Sequence, residues 1–238
     1  MGDTSDPLAS LPDHFCLLAV LCMIDSSSNA DTPNTMLIAG MVLCGGQSTR
    51  MGRDKALLPL LGKTMLERTV RTLGEVCDVV AVVGAEQQQL PELSENVLIL
   101  RDRHPQRGPL QGLCDGLQAL PEDVTSAFVC SCDLPLLKAE FIQEVMQQLG
   151  DYEIAAPCDD RGPNPLAAAY RRSVLPTIES LLADGQRRLK DLLAACDTLE
   201  ISVEKLRPAD PSLHSLLNCN TPEDYEKVLQ IIRQTARE

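Results

Sequence analysis

The sequence predicts an α/β fold, a Rossmann-like three-layer α/β/α sandwich built on a mainly parallel sheet. From residue 36 onward, short apolar runs alternate with segments whose apolar residues repeat at helical spacing. The first run, residues 36–43, is a candidate for a buried strand, and residues 78–84 form a second run of β-forming residues that ends in glycine. Hydrophobic residues make up 44% of the 238 residues and aromatic ones only 3%, so we expect an aliphatic core.

The apolar runs are predicted strands, and the segments with helical spacing are predicted helices. Residues 63–76, for example, place Leu66, Val70 and Leu73 on one helix face. We interpret the order as β-α-β-α-β-α-β, which implies right-handed crossovers and helices on both faces. The predicted strands are 36–43, 78–84, 96–100 and 126–132, with two more in YEIAAP and PLAAAY, and the helices are 63–76, 109–120 and 138–149.

The segment NCNTPEDYEKVLQII near the carboxyl terminus has the pattern of a helix start. Thr221 is a predicted N-cap, Pro222 suits the first helical position, and two acidic residues follow in the first turn. Capping does not explain Asn218 and Asn220, which alternate toward one side just before it.

The first 35 residues are expected to be a disordered N-terminal extension without a function, or the result of a translation start assigned upstream of the true Met36 or Met41. A single domain at 36–238 follows. The apolar run at 15–24 is too short to span a bilayer, and no basic residue precedes it as in a secretory signal. A polar stretch that resembles a linker comes next.

The net charge of −13 opposes binding to nucleic acids and to anionic membranes, since both need basic surfaces. The scarcity of aromatic residues also argues against stacking on single-stranded nucleic acid. A small anionic substrate is still compatible, because Arg50, Arg53 and Lys55 gather cations in one place.

The ten cysteines include no CxxC pair. Cys130 and Cys132 alternate on a predicted strand and should point to the same face. We interpret the cysteines as free, mostly buried thiols of a cytoplasmic protein. A redox or metal-carrying protein is the alternative that so many thiols suggest.

The loop in MVLCGGQSTRMGRDKALL, residues 41–58, has the residues needed to hold a triphosphate. Gly45 and Gly46 let the backbone turn and approach a ligand, and successive amides after a strand can bind an anion. Arg50 and Lys55 add full positive charges. The pattern is neither a Walker A loop nor G-x-G-x-x-G.

Triphosphate chemistry usually needs a divalent cation, and two aspartates follow predicted strands. Asp133 follows the strand at 126–132, although it could instead cap the next helix. Asp102 follows the strand at 96–100, although it could be an ordinary loop residue. Loops at the carboxyl ends of parallel strands share one edge, so oxygens from both could hold Mg²⁺ there.

The segment LCGGQSTRMGRDKALL resembles the signature loop of the molybdenum cofactor guanylyltransferases. Further similar segments follow in the order of that family: RGPLQGL, CDLPLL, GQRRLKDLL and NCNTPEDY. Together they cover residues 37–232. The Gly-Gly pair and the N-x-N-T-P-E ending favour the guanylyl branch over cytidylyl relatives.

The resemblance implies a fold of the nucleotidyltransferase (GT-A-like) type and Mg²⁺-dependent transfer of GMP from GTP to molybdopterin-bound molybdenum cofactor. It implies catalytic roles for Lys55, Arg50 and Asp133, with Asp133 as the metal ligand. Cys44 replaces the usual alanine, and Gly84 replaces a frequent asparagine, so only a backbone contact is expected there. The implied nucleotide-binding residues are Leu43, Cys44, Gly45, Gly46, Lys55, Gly84, Asp102 and Asp133.

The second substrate is expected in the carboxyl-terminal half, where the family binds its pterin. The implied pterin-binding residues are Asn164, Arg187, Arg188 and Asn220, although the two arginines could equally begin a solvated helix. The resemblance also implies a molybdenum insertase or molybdoenzyme chaperone as partner. The alternatives are cytidylyl transfer, NDP-sugar synthesis and a non-catalytic nucleotide-binding accessory module.

Overall fold

The apolar runs of the sequence become the strands of one central sheet in the computed structural model, which describes residues 37–44, 54–102 and 108–235. The predicted extension at 1–35 lies outside these residues. In chain order the elements are β1 (Leu37–Leu43), a 3-10 helix (Lys55–Leu57), β2 (Pro59–Leu60), β3 (Lys63–Thr64), α1 (Met65–Gly74), β4 (Val79–Ala85), β5 (Val97–Asp102), α2 (Gly108–Ala119), β6 (Val124–Ser131), α3 (Ala139–Gln148), β7 (Ile154–Asp159), β8 (Gly162–Pro163), β9 (Ala167–Arg171), a 3-10 helix (Arg172–Val174), α4 (Leu175–Ala183), α5 (Leu189–Ala195), β10 (Thr198–Ser202), α6 (Val203–Leu206), a 3-10 helix (His214–Leu216) and α7 (Pro222–Thr235).

The central sheet has the order β10-β7-β9-β6-β1-β4-β5, with β8 paired to β7. Neighbouring strands run parallel except at β9 and β8, which confirms a mainly parallel sheet. Leu43 at the end of β1 pairs with Val83 of β4 and with Ser131 of β6. The carboxyl ends of β1, β4, β5 and β6 therefore share one edge, here called the rim.

The order β-α-β-α-β-α-β is wrong at one crossover, because residues 86–96 between β4 and β5 contain no helix. Pro91 lies in the middle of this segment and cannot donate a helical hydrogen bond. The crossover is instead an irregular segment whose Leu90 and Leu93 pack against the core. Two leucines are too few for the apolar stripe of a helix.

Helices cover both faces of the sheet, as predicted. The face that bears Val42 packs against α1 and α3, whose Leu66, Leu73 and Phe141 are buried. The opposite face, which bears Met41, packs against α2, α4 and α5. Successive residues of β1 thus contribute to two different cores, because strand side chains alternate between faces. Within the described residues, no helix has the length and apolar character that crossing a membrane requires.

Side-chain caps fix the starts of α1 and α7. At α1, the Thr64 hydroxyl accepts from the Glu67 N–H at 3.2 Å while the Glu67 carboxylate accepts from the Thr64 N–H. At α7, Thr221 accepts from the Asp224 N–H at 3.2 Å and Pro222 is the first helical residue, as predicted. Helix α7 then packs its Val228 face on the segment that contains β2 and β3.

Candidate active site

Three chain segments that are far apart in sequence bring their polar side chains together at the rim. Lys55 opens the short 3-10 helix after β1, Asp133 lies two residues beyond the end of β6, and Asn220 lies just before α7. The Lys55 Nζ donates to Asp133 Oδ2 at 3.1 Å and to Asn220 Oδ1 at 2.5 Å. The predicted cation and carboxylate are therefore direct neighbours.

Asp133 is held by both its side chain and its backbone. The Ser131 hydroxyl donates to Oδ1, and the backbone carbonyl of Asp133 accepts from the Cys219 N–H at 2.9 Å. The second bond joins the loop after β6 to the segment that carries Asn220. The helix-cap alternative for Asp133 is wrong, because α3 begins only at Ala139, with Lys138 at the N-cap position.

A buried carboxylate, that of Asp210, also connects the segment after Asp133 with the segment before Asn220. Asp210 is fully buried. Its Oδ1 lies 2.9 Å from the Lys138 ammonium, and its Oδ2 accepts from the Ser215 N–H at 2.7 Å. Burial opposes ionisation, yet hydrogen bonds from Ser215 and Lys138 hold the pKa of Asp210 below its usual value. This network anchors the loop that follows Asp133 to the segment that precedes Asn220.

The Lys55–Asp133 pair is sheltered but accessible, with side-chain exposures of 16% and 17%. A carboxylate has about four lone-pair positions, so Asp133 can accept a further ligand besides Lys55 and Ser131. The Asn220 carbonyl oxygen is a second oxygen donor in the cluster. These two side chains have the donor chemistry that Mg²⁺ prefers, with substrate phosphates and water completing an octahedron.

Asp102 lies on the same edge but not within this cluster. It is the last residue of β5, where it pairs with Ala85 of β4. Strand β5 is three strands from β6, which corresponds to roughly 14 Å along the hydrogen-bonding direction of a sheet. A shared ion with Asp133 does not fit this arrangement. The predicted nucleotide contact of Asp102 stays a prediction.

The remaining nucleotide-binding candidates cluster around the ends of β1 and β4. Leu43 ends β1, and the Cys44 N–H donates to the Val83 carbonyl at 2.8 Å. Gly84 lies in β4, and a Cβ atom there would come within 3.3 Å of Gln88 Oε1. Gln88 thus occupies the space above Gly84. Three further predicted site residues lie outside the described residues, namely Gly45, Gly46 and Arg50.

Three thiols near the rim, those of Cys44, Cys130 and Cys219, are buried and have raised pKa values. A hydrogen bond between the Cys44 and Cys132 thiols, together with burial, holds the pKa of Cys44 well above its usual value. Burial raises the pKa of Cys219 to about 11 and that of Cys130 well above its usual value. Thiols in this state are poor nucleophiles and poor metal ligands. They behave as the small hydrophobes that the sequence predicted.

The four predicted pterin-binding residues do not share one location. Asn220 contacts Lys55, whereas Asn164 lies near the start of β9, where its Oδ1 accepts from the Leu166 N–H at 3.0 Å. Arg187 is brought to the start of α2, since its carbonyl accepts from the Leu110 N–H at 3.4 Å. Arg188 is exposed at the N-cap of α5, which agrees with a solvated helix start without excluding a ligand.

The contact between Arg187 and α2 requires a glycine. Gly108 has a φ of +76°, and a Cβ atom there would lie 2.9 Å from the Arg187 carbonyl oxygen. This packing joins the segments RGPLQGL and GQRRLKDLL, which the sequence singled out separately. Sequence reasoning missed Ser131 and Gln88, because a serine in a strand and a glutamine in a polar run carry no signal of a role.

Solved structures with a similar architecture include nucleotidyltransferases. One is the molybdopterin-guanine dinucleotide biosynthesis protein A of Archaeoglobus fulgidus, with a TM-score of 0.72 and 26% identity, covering 82% of this chain and 99% of that one. Another is the 2-C-methyl-D-erythritol 4-phosphate cytidylyltransferase of Thermus thermophilus, with a TM-score of 0.61 and 12% identity, covering 83% and 100%. The latter shows the shared fold alone. The fold is therefore one that nucleotidyltransferases share.

A family model, the MobA-like NTP transferase domain, matches residues 40–208. The chain belongs to the MobA-like NTP transferases. One relative, named "Probable molybdenum cofactor guanylyltransferase", from Mycobacterium bovis (BCG, Pasteur strain) is 41% identical over 181 residues, covering 74% of this chain and 89% of its own length. A protein of the same name from Mycobacterium avium is 37% identical over 202 residues, covering 83% and 98%.

Proposed function

We propose that this nucleotidyltransferase transfers GMP from GTP to the phosphate of molybdopterin-bound molybdenum cofactor, forming the guanine dinucleotide cofactor and pyrophosphate. The names of relatives at 37–41% identity support these substrates. The observation that carries the proposal is the 3.1 Å contact of Lys55 with Asp133 at the rim. A mere nucleotide binder would not require a cation and a carboxylate to meet there.

The proposed chemistry is a single in-line displacement. A phosphate oxygen of the pterin attacks the α-phosphorus of GTP, and the bond to pyrophosphate breaks. The Lys55 ammonium would offset the negative charge that develops on the phosphates. The remaining contribution is orientation of the two substrates, so no side chain has to form a covalent intermediate.

Mg²⁺ is part of the proposal, held by the Asp133 carboxylate with the Asn220 carbonyl oxygen as a second donor. When bound, the ion would neutralise phosphate charge and orient the leaving group. Arg187, Arg188 and Asn164 stay proposed contacts to the pterin. We further propose a cytoplasmic location and a molybdenum insertase or molybdoenzyme chaperone as the partner in cofactor transfer.

The direct test measures pyrophosphate release by the purified chain with Mg²⁺ and each of GTP, CTP, ATP and UTP, with and without molybdopterin-bound cofactor. We expect release from GTP that depends on the acceptor. A preference for CTP would assign the chain to cytidylyl transfer instead. Release with a sugar phosphate as acceptor, but not with the pterin, would indicate NDP-sugar synthesis.

Two variants test the site itself. We expect Lys55→Ala and Asp133→Ala to lower kcat by about 10²–10³-fold, as loss of one charge-stabilising group commonly does. Lys63→Ala and Asp151→Ala remove the same residue types from exposed positions and serve as matched controls. Near-normal guanylyl transfer by either site variant, with a folded chain, would contradict the proposal.

A further inference from the structure

Gln88 uses its whole side-chain amide to join three segments at the rim. Its Oε1 accepts from the Ala85 N–H at 3.1 Å. Its Nε2 donates to the Cys44 carbonyl at 3.2 Å and to the two carboxylate oxygens of Asp54 at 2.9 and 3.1 Å. The side chain is half-buried, and each of its polar atoms has a partner within the chain. Such an amide can fix the distance and orientation of the groups around it.

The position of Asp54 in turn affects the orientation of Lys55, the residue that follows it. It is the N-cap residue of the 3-10 helix Lys55–Leu57, and its Oδ1 accepts from the Ala56 N–H at 3.0 Å. Lys55, the next residue, is the one whose ammonium contacts Asp133. The direction of the Lys55 side chain therefore depends on where the Asp54 carboxylate is held, and Gln88 holds it.

The backbone around Gln88 is itself fixed from the neighbouring strand. The Arg101 guanidinium of β5 donates to the Gln88 carbonyl at 2.8 Å and to the Ala85 carbonyl at 3.2 Å. Gly84 keeps the space open, because a Cβ atom there would lie 3.3 Å from Gln88 Oε1 and 3.4 Å from Arg101 Nη1. A glycine at residue 84 thus leaves room for the Gln88 side chain and for the Arg101 guanidinium that holds its backbone.

We infer that Gln88 is a positioning residue, which acts through Asp54 to orient Lys55 and through the Cys44 carbonyl to fix the end of β1. The inference deepens the proposed function and rests on it for its catalytic consequence. It does not place Gln88 in contact with a substrate. Its structural part, the constraint on Asp54 and on the first turn of the Lys55 helix, stands independently of the reaction.

The test variant is Gln88→Glu, which keeps the shape but places a carboxylate against that of Asp54. We expect kcat/KM for GTP to fall by about ten- to hundredfold, the usual range for losing a hydrogen bond to a charged group. The double variant Gln88→Glu/Asp54→Asn reverses the direction of the hydrogen bond between positions 54 and 88. The new amide at position 54 can donate to the new carboxylate at position 88, and its oxygen can still accept from the Ala56 N–H. We expect this double variant to recover about tenfold. Gln88→Met, which removes the hydrogen bonds without adding charge, is the second test variant should the first fail to fold.

The matched control is Gln148→Glu on α3. Gln148 is also half-buried and donates its amide to a carboxylate, that of Glu144 at 2.9 Å, at the end of α3 away from Asp133. The Gln148→Glu change places a second carboxylate beside that of Glu144, so it introduces a comparable charge repulsion at a site away from the rim. An equal loss of kcat/KM in Gln148→Glu and Gln88→Glu would overturn the inference.

A second readout does not depend on catalysis. Amide hydrogen exchange at Ala56, whose N–H is bonded to Asp54, should accelerate in Gln88→Glu and return toward the wild-type rate in the double variant. If the wild-type chain releases no pyrophosphate from GTP, the proposed function fails while the exchange rates still decide the role of Gln88. Unchanged exchange at Ala56 in Gln88→Glu and Gln88→Met would overturn the inference even in an active enzyme.

Discussion

At the scale of single residues, the rim depends on a few polar atoms with defined partners. Lys55 is shared between the Asp133 carboxylate and the Asn220 carbonyl oxygen. The sequence suggested Asn220 for pterin binding, but its observed partner is the cation proposed for the phosphates. These two roles predict different responses to the loss of the Asn220 side chain.

Asn220→Ala should weaken the binding of GTP with Mg²⁺ even when no pterin is present, because Lys55 loses an acceptor. A hydrogen bond to a charged group contributes about 1.5–3 kcal/mol, so we expect a roughly ten- to hundredfold rise in Kd. Isothermal titration with a non-hydrolysable GTP analogue measures this directly. An unchanged Kd for nucleotide, with loss only of pterin binding, would favour the original interpretation of Asn220.

At the scale of elements, the ends of helices and strands position the site. The α7 cap illustrates this, because the Asp224 carboxylate accepts from the N–H groups of both Thr221 and Asn220 at 2.9 Å. The start of the helix therefore fixes the backbone of the residue that contacts Lys55. The α1 capping box at Thr64 has the same chemistry but bonds to Glu67 and not to the Lys55 cluster.

Comparing Thr221→Ala with Thr64→Ala separates stability from positioning. Each change removes an N-cap hydroxyl and should lower the free energy of unfolding by about 1 kcal/mol, measured by urea denaturation. Only Thr221→Ala should also reduce pyrophosphate release under conditions where both variants are folded. Equal activity in the two variants would show that the α7 cap stabilises the helix without orienting Asn220.

At the scale of the whole molecule, two glycines set the distance between the sheet and its helical layers. Gly40 of β1 faces α1, where a Cβ atom would lie 2.9 Å from Leu73 Cβ. Gly116 of α2 faces β1, where a Cβ atom would lie 2.7 Å from Met41 Cε and closer still to its Sδ. Gly40 allows close packing on one face of the sheet and Gly116 on the other, so α1 and α2 both lie close to β1.

Gly40→Ala and Gly116→Ala should each lower the free energy of unfolding by about 1–3 kcal/mol, the usual cost of overpacking a core. The loss should be larger for Gly40→Ala, because Leu73 Cβ is fixed to the backbone of α1 whereas the end of Met41 can rotate. Urea denaturation measures both values, and Gly74→Ala, where no atom lies within 4 Å of the added carbon, is the control. A smaller loss for Gly40→Ala than for Gly116→Ala would contradict this account of the packing.

The sequence by itself determined the class of fold, the positions of six strands and four helices, and the presence of Lys55 and Asp133 at one edge. Buried parallel strands are continuous apolar runs and parallel strands end at a common edge, so these features follow from local patterns. The strictly alternating order of strands and helices was wrong between β4 and β5, which follow one another without a helix and are joined by a segment with two leucines and a proline.

Only the tertiary structure decided which polar groups meet. Lys55 and Asn220 are separated by 165 positions, and Gln88 and Asp54 by 34, yet each pair is in direct contact. A hydrogen bond depends on tenths of an ångström and on angle, and these are set by how whole layers pack. No local pattern contains that information, so the sequence could nominate the groups of the site but not assign their partners.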